Sequence, residues 1–102
     1  MRTAEQPKDH GMSVKLKSQI KVIENAWRDS DRLYADDKPL ISRQDIITYL
    51  MDNGSTDANA KQEVKPSCKG RLIHSLIDNN IIKKKDEQYI IVDKAVLSII
   101  NL

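Results

Sequence analysis

Few side chains in this chain have the types and spacing that chemistry needs. Its 102 residues include two histidines, one cysteine and three scattered glycines, so there is no glycine-rich loop to cradle a phosphate. Cys68 and His74 lie six residues apart; on a helix they point to different sides and do not form a zinc pair. Ser67, His74 and Asp78 have the residue types of a hydrolytic triad. Along one helix, however, Ser67 and His74 stand roughly 10 Å apart by the rise per residue, too far to share a proton. The pairs Asp29/Asp31 and Asp36/Asp37 lack the alternating ligands, central glycine and closing glutamate of a calcium loop, and read as a solvated linker. Cys68, beside Lys65 and Lys69 at a helix start, has the setting of an acidified, redox-sensing thiol; the plainer reading is a tolerated small residue. These types point away from an enzyme and call for no metal and no cofactor.

What remains is cationic. Residues 65 to 85 carry Lys65, Lys69, Arg71, Lys83, Lys84 and Lys85 against Asp78 alone. Residues 41 to 64 carry Arg43 and Lys61 against Asp45, Asp52, Asp57 and Glu63. The net charge of +2 conceals this asymmetry, which is what a surface facing nucleic-acid phosphates needs. The alternative for Lys83–Lys85 is that a charged turn protects a sheet edge from aggregation.

Two elements must position these cations. Leu72, Ile73, Leu76 and Ile77 recur at helical spacing and predict an amphipathic helix over 67–79. Pro66 and Ser67 open it, Asn79-Asn80 closes it, and Arg71, His74, Ser75 and Asp78 face outward. Lys69 falls on the apolar side by angle and must snorkel. Two β-branched runs, Ile81-Ile82 and Tyr89 to Val92, flank the charged stretch Lys83 to Gln88 and predict a hairpin over 81–92.

Upstream, residues 1–12 are almost devoid of apolar side chains and read as a disordered leader, with Met12 an alternative start. Ser13 caps an expected helix over 13–31, whose Leu16, Ile20, Ile23 and Trp27 make a narrow seam. That seam either packs on the domain's own core or meets its copy in a second subunit, giving a homodimer. Residues 29 to 39 read as a polar connector anchored by Leu33 and Tyr34, and Leu40-Ile41 as a short strand. Ser42 and Asp45 form a capping-box-like start for a helix over 42–53, with Ile46, Ile47, Leu50 and Met51 buried. Residues 56–64 allow a weak helix, with Ala58, Ala60 and Val64 as a thin apolar side, or a loop. Asp93 caps a last helix over 94–101, whose apolar run from Val96 to Leu102 must dock, as on the first helix.

Over residues 40–92, the order helix, Asn-rich corner, Ile-Ile, basic turn and strand resembles the winged helix-turn-helix superfamily. The resemblance implies a mainly α fold with a small β-hairpin (α+β): a three-helix core plus wing, with added N- and C-terminal helices. It also implies a small DNA-binding protein, a transcriptional regulator of duplex DNA. The 67–79 helix would sit in a groove and the wing on the backbone. Arg71 is then the candidate for base readout, since a guanidinium grips guanine at two points. Ser67, His74 and Ser75 add secondary contacts, while Lys65, Lys69, Lys83, Lys84 and Lys85 bind phosphates. This reading requires Lys65, Arg71 and Lys83–Lys85 to share one continuous positive surface. If they are split, the rival reading gains: a winged-helix module for protein–protein contact, an assembly factor or inhibitor without nucleic acid. Asp78 on the presumed reading face also favours the rival.

The totals are consistent with one domain. With no Phe and 4% aromatic residues, the core must be built from Ile, Leu and Val. A single cysteine excludes an internal disulfide and fits a reducing compartment. No apolar run is long enough to span a bilayer and no signal-peptide core is evident, so the expectation is a cytoplasmic protein. The Lys/Asn/Ile-rich composition of a chain this small also fits a phage or plasmid origin.

Overall fold

The computed structural model describes residues 13–94, 96 and 97. The first helix, α1 (Val14–Asp29), starts where Ser13 Oγ accepts the Leu16 N–H at 3.0 Å. It ends where both the N–H and the hydroxyl of Ser30 donate to the Trp27 carbonyl. Its Leu16, Ile20, Ile23 and Trp27 are all buried, and the helix packs on the segments Lys38–Ser42, Arg43–Asp52 and Leu72–Asp78. The seam is therefore covered by the chain's own core, the first of the two arrangements its spacing allows. A period-3.6 stripe reports that a helix face is covered and is silent about what covers it.

The expected connector over 29–39 is instead a hairpin. Strands β1 (Leu33–Ala35) and β2 (Lys38–Ser42) pair antiparallel. Their turn is Asp36-Asp37, at φ 53° and 66°, the left-handed pair of a type I′ hairpin turn, which aspartate tolerates. Trp27 holds this hairpin down: its indole N–H donates to the Leu33 carbonyl at 3.0 Å, and its ring meets Tyr34 edge to face at 5.4 Å.

β2 runs directly into α2 (Arg43–Asp52), where Ser42 Oγ accepts the Asp45 N–H at 3.0 Å as the capping pattern predicts. Ile46 and Ile47 are buried and Leu50 is half-buried. Met51, expected inside, is 43% exposed, at the margin of the apolar stripe. The weak segment does form a helix, α3 (Asp57–Glu63), capped by the Thr56 hydroxyl on the Asn59 N–H. Ala60 and Val64 are fully buried beneath it while Ala58 is exposed.

The helix expected over 67–79 is shorter: α4 is Leu72–Asp78. Residues 65–71 form consecutive turns, with the Cys68 N–H on the Lys65 carbonyl and the Arg71 N–H on the Cys68 carbonyl. Gly70 adopts φ +78°, a conformation that a right-handed helix cannot contain. Ser67 is thus no cap and Lys69 has no helix face to snorkel from. Cys68 sits in a turn rather than at a helix start. Asn80 leaves α4 at φ 59°, the left-handed exit its residue type allows.

β3 (Ile82–Lys85) and β4 (Gln88–Ile91) form the expected hairpin around Asp86 at φ 56°. β4 also pairs with β2, with Leu40 opposite Ile90 and Ile41 opposite Tyr89. The sheet is antiparallel, in the order β1-β2-β4-β3. Ile41, Ile82, Tyr89 and Ile91 face the helices and join Ile23, Ile46, Ile73 and Leu76 in one core. The fold is α+β, with four helices and four strands among the described residues, an order compatible with the winged-helix arrangement. Asp93 Oδ1 caps Val96 at 3.1 Å, and Val96 is buried in the core. Lys94 and Leu97 are helical as well; residues 95 and 98–101 of the expected 94–101 helix, and the leader over 1–12, lie outside the described residues.

Candidate nucleic-acid interface

The cations singled out by the sequence come from two elements, the 65–71 turns with α4, and the β3–β4 wing. Tyr89 joins them. Its side chain crosses from β4, 1% exposed, and its hydroxyl donates to the Val64 carbonyl at 3.3 Å, one residue before Lys65. Burial pushes the Tyr89 phenol above its ordinary pKa; Arg43 opposes this and Glu87 adds to it. The other end of the wing is tied as well, since the Arg43 N–H donates to the Glu87 carbonyl at 3.0 Å. The wing is thus fixed at both its middle and its tip.

Strand alternation divides the three wing lysines. Lys84 is the cross-strand partner of Tyr89, and Ile82 of Ile91, so Lys84 stands on the hairpin face that turns toward the helices. Lys83 and Lys85 pair with Ile90 and Gln88 and stand on the opposite face. All three are exposed. The wing therefore presents cations on both faces, with Lys84 on the face turned toward the helices. The expected continuous surface of Lys65, Arg71 and Lys83–Lys85 is thus divided within the hairpin, where Lys83 and Lys85 stand opposite Lys84.

Arg71 is not a free reading side chain. It is the N-cap residue of α4 with no side-chain cap of its own, and its Nη1 donates to Glu63 Oε2 at 2.8 Å. The other oxygen of the same carboxylate, Glu63 Oε1, accepts the Leu72 N–H at 3.0 Å. One carboxylate from α3 therefore caps α4 and holds the guanidinium, which stays 47% exposed. Sequence reasoning missed Glu63, because nothing local marks an acid that folds back across a loop to cap a helix nine residues on. On α4, His74 and Ser75 are half-buried, while Asp78 is exposed. Ser67 is exposed in the turns.

The remaining lysines are different. Lys65, Lys69, Lys83, Lys84 and Lys85 are exposed, and among the described residues none is in an ion pair; the carboxylates of α3 go to Lys61, at 3.0 Å from Asp57, and to Arg71. The turn region is held against α1, where the Gln19 amide donates to the Gly70 carbonyl at 3.3 Å. A separate shallow cleft of about 60 Å³ lies between the end of α1 and α2, lined by Asp29, Asp45, Tyr49 and Asp52. Its carboxylates would repel phosphate. Among the described residues no three His, Cys, Asp or Glu side chains are grouped to hold a metal ion, and no helix is long and apolar enough to cross a membrane.

Comparison of the chain with protein-family models, with curated proteins and with solved structures finds no significant match.

Proposed function

We propose that this protein is a small winged-helix DNA-binding protein that grips duplex DNA mainly through its phosphates, in the manner of a transcriptional regulator. The observation that supports this best is the set of five exposed lysines, Lys65, Lys69, Lys83, Lys84 and Lys85, which have no carboxylate partner among the described residues and lie on two elements joined through the Tyr89–Val64 bond. Unpaired lysines on a rigid frame are suited to phosphate contact, where each neutralised phosphate releases condensed counterions. Base readout falls to His74 and Ser75 on a short helix, with Arg71 occupied by Glu63, so affinity is carried by the backbone more than by sequence. Fluorescence anisotropy with a labelled random-sequence duplex tests the proposal: saturable binding supports it, and no binding at low salt refutes it.

A second reading, a winged-helix module for protein–protein contact, draws on two specific observations. The guanidinium best suited to base readout is paired internally, and strand alternation sends Lys83 and Lys85 to the face opposite Lys84. A protein without affinity for duplex DNA at any salt concentration would fit this second reading.

A further inference from the structure

We infer that Glu63 is an intramolecular competitor for DNA, whose carboxylate occupies Arg71 in the free protein and yields it to a phosphate on binding. The inference rests on the DNA-binding reading above and goes beyond it by assigning the control of affinity to one residue outside the cationic set. Two contacts of one carboxylate carry it. Glu63 Oε2 accepts from Arg71 Nη1 at 2.8 Å and Glu63 Oε1 accepts from the Leu72 N–H at 3.0 Å. The two bonds differ in what can replace them. The Leu72 N–H is part-buried at the start of α4 and keeps its acceptor. Arg71 is about half exposed, whereas Glu63 is 25% exposed, so the guanidinium is the partner that an incoming anion can reach.

A carboxylate and a phosphate oxygen are equivalent acceptors for a guanidinium, and both accept from it in a forked geometry. The exchange therefore leaves the Arg71 hydrogen bonding intact and costs chiefly the internal ion pair. It neutralises one phosphate more than the lysines do alone. Glu63 retains the cap throughout, so α4 does not fray when Arg71 leaves.

Glu63→Gln separates the two roles. The glutamine carbonyl still accepts the Leu72 N–H, while the neutral side chain no longer holds Arg71. The expected result is about two- to fivefold tighter binding to a random duplex at fixed salt, matching the usual worth of one exposed ion pair. In the Arg71→Ala background the same Glu63→Gln change should give no gain, which a double-mutant cycle reads directly. If the parent binds and Glu63→Gln brings no gain, or a gain that survives the loss of Arg71, the inference falls while the DNA-binding reading stands. If neither parent nor variant binds duplex, both fall. Should the variant fold poorly, side-chain nitrogen NMR of Arg71 in the unaltered protein decides the matter. Saturating duplex should shift the Arg71 guanidinium signals and leave the Leu72 amide in place; guanidinium signals that do not move overturn the inference.

Discussion

The Tyr89 hydroxyl donates to the Val64 carbonyl at 3.3 Å, and this bond ties the wing to the end of α3. It joins a central strand to the segment that opens the cationic turns, so the positions of Lys84 and Lys65 are coupled through a buried side chain.

Tyr89→Phe should therefore cost about 1 kcal/mol, the usual net worth of such a hydrogen bond, read as a lower urea midpoint with unchanged slope. The tyrosine also sets an alkaline limit. Its folded pKa is raised, first by burial, so the folded state holds the proton more tightly than the unfolded chain. The stability this gives is fully present below the unfolded phenol pKa of about 10 and is lost as pH rises through the higher folded value. Urea midpoints measured from neutral to strongly alkaline pH should fall more steeply for the parent than for Tyr89→Phe. Parallel curves would contradict the assignment.

Gly70→Ala tests why α4 begins at Leu72. A side chain added there would meet only the flexible end of Lys15, at 3.5 Å, so sterics contribute little. The left-handed backbone at φ +78° should cost about 1–2 kcal/mol for any residue with a Cβ. Circular dichroism melting would show this as a lowered Tm, and an unchanged Tm would show that the turn tolerates a right-handed backbone.

Trp27→Phe separates the internal role of the α1 seam from a subunit role. Losing the indole bond to Leu33 and some buried volume should cost about 2 kcal/mol. Amide exchange should accelerate at Leu33–Ala35, the strand that Trp27 holds. The mass from light scattering should be the same for parent and variant. A mass that drops on substitution would place Trp27 between subunits instead.

The elements legible in the sequence were those specified locally. Ser42 and Asp45 declare the start of α2 within four residues, and the β-branched runs around Lys83–Gln88 declare the wing. The β1–β2 hairpin was hidden because Asp36-Asp37 replaces the glycine that usually marks such a turn, and because a three-residue strand shows no alternation. The start of α4 was misplaced for a different reason. Pro66 and Ser67 look like a helix opening, yet the real cap is Glu63, supplied from α3 by tertiary folding. The candidate site was legible as a list of cations. Which cations are free was not, since pairing depends on carboxylates brought in by the fold, and Arg71 is the case that shows it.

The most direct test of the account is the salt dependence of binding to a random duplex, for the parent and for the combined Lys83→Ala, Lys84→Ala, Lys85→Ala variant. If the five exposed lysines and the released Arg71 each neutralise one phosphate, the logarithm of affinity should fall against the logarithm of salt concentration with a slope of about −5. Removing the wing lysines should reduce its magnitude by about 3, with all duplex sequences weakened alike. A parent protein that binds no duplex, or a variant that keeps the parent's slope, would contradict a phosphate grip by the wing.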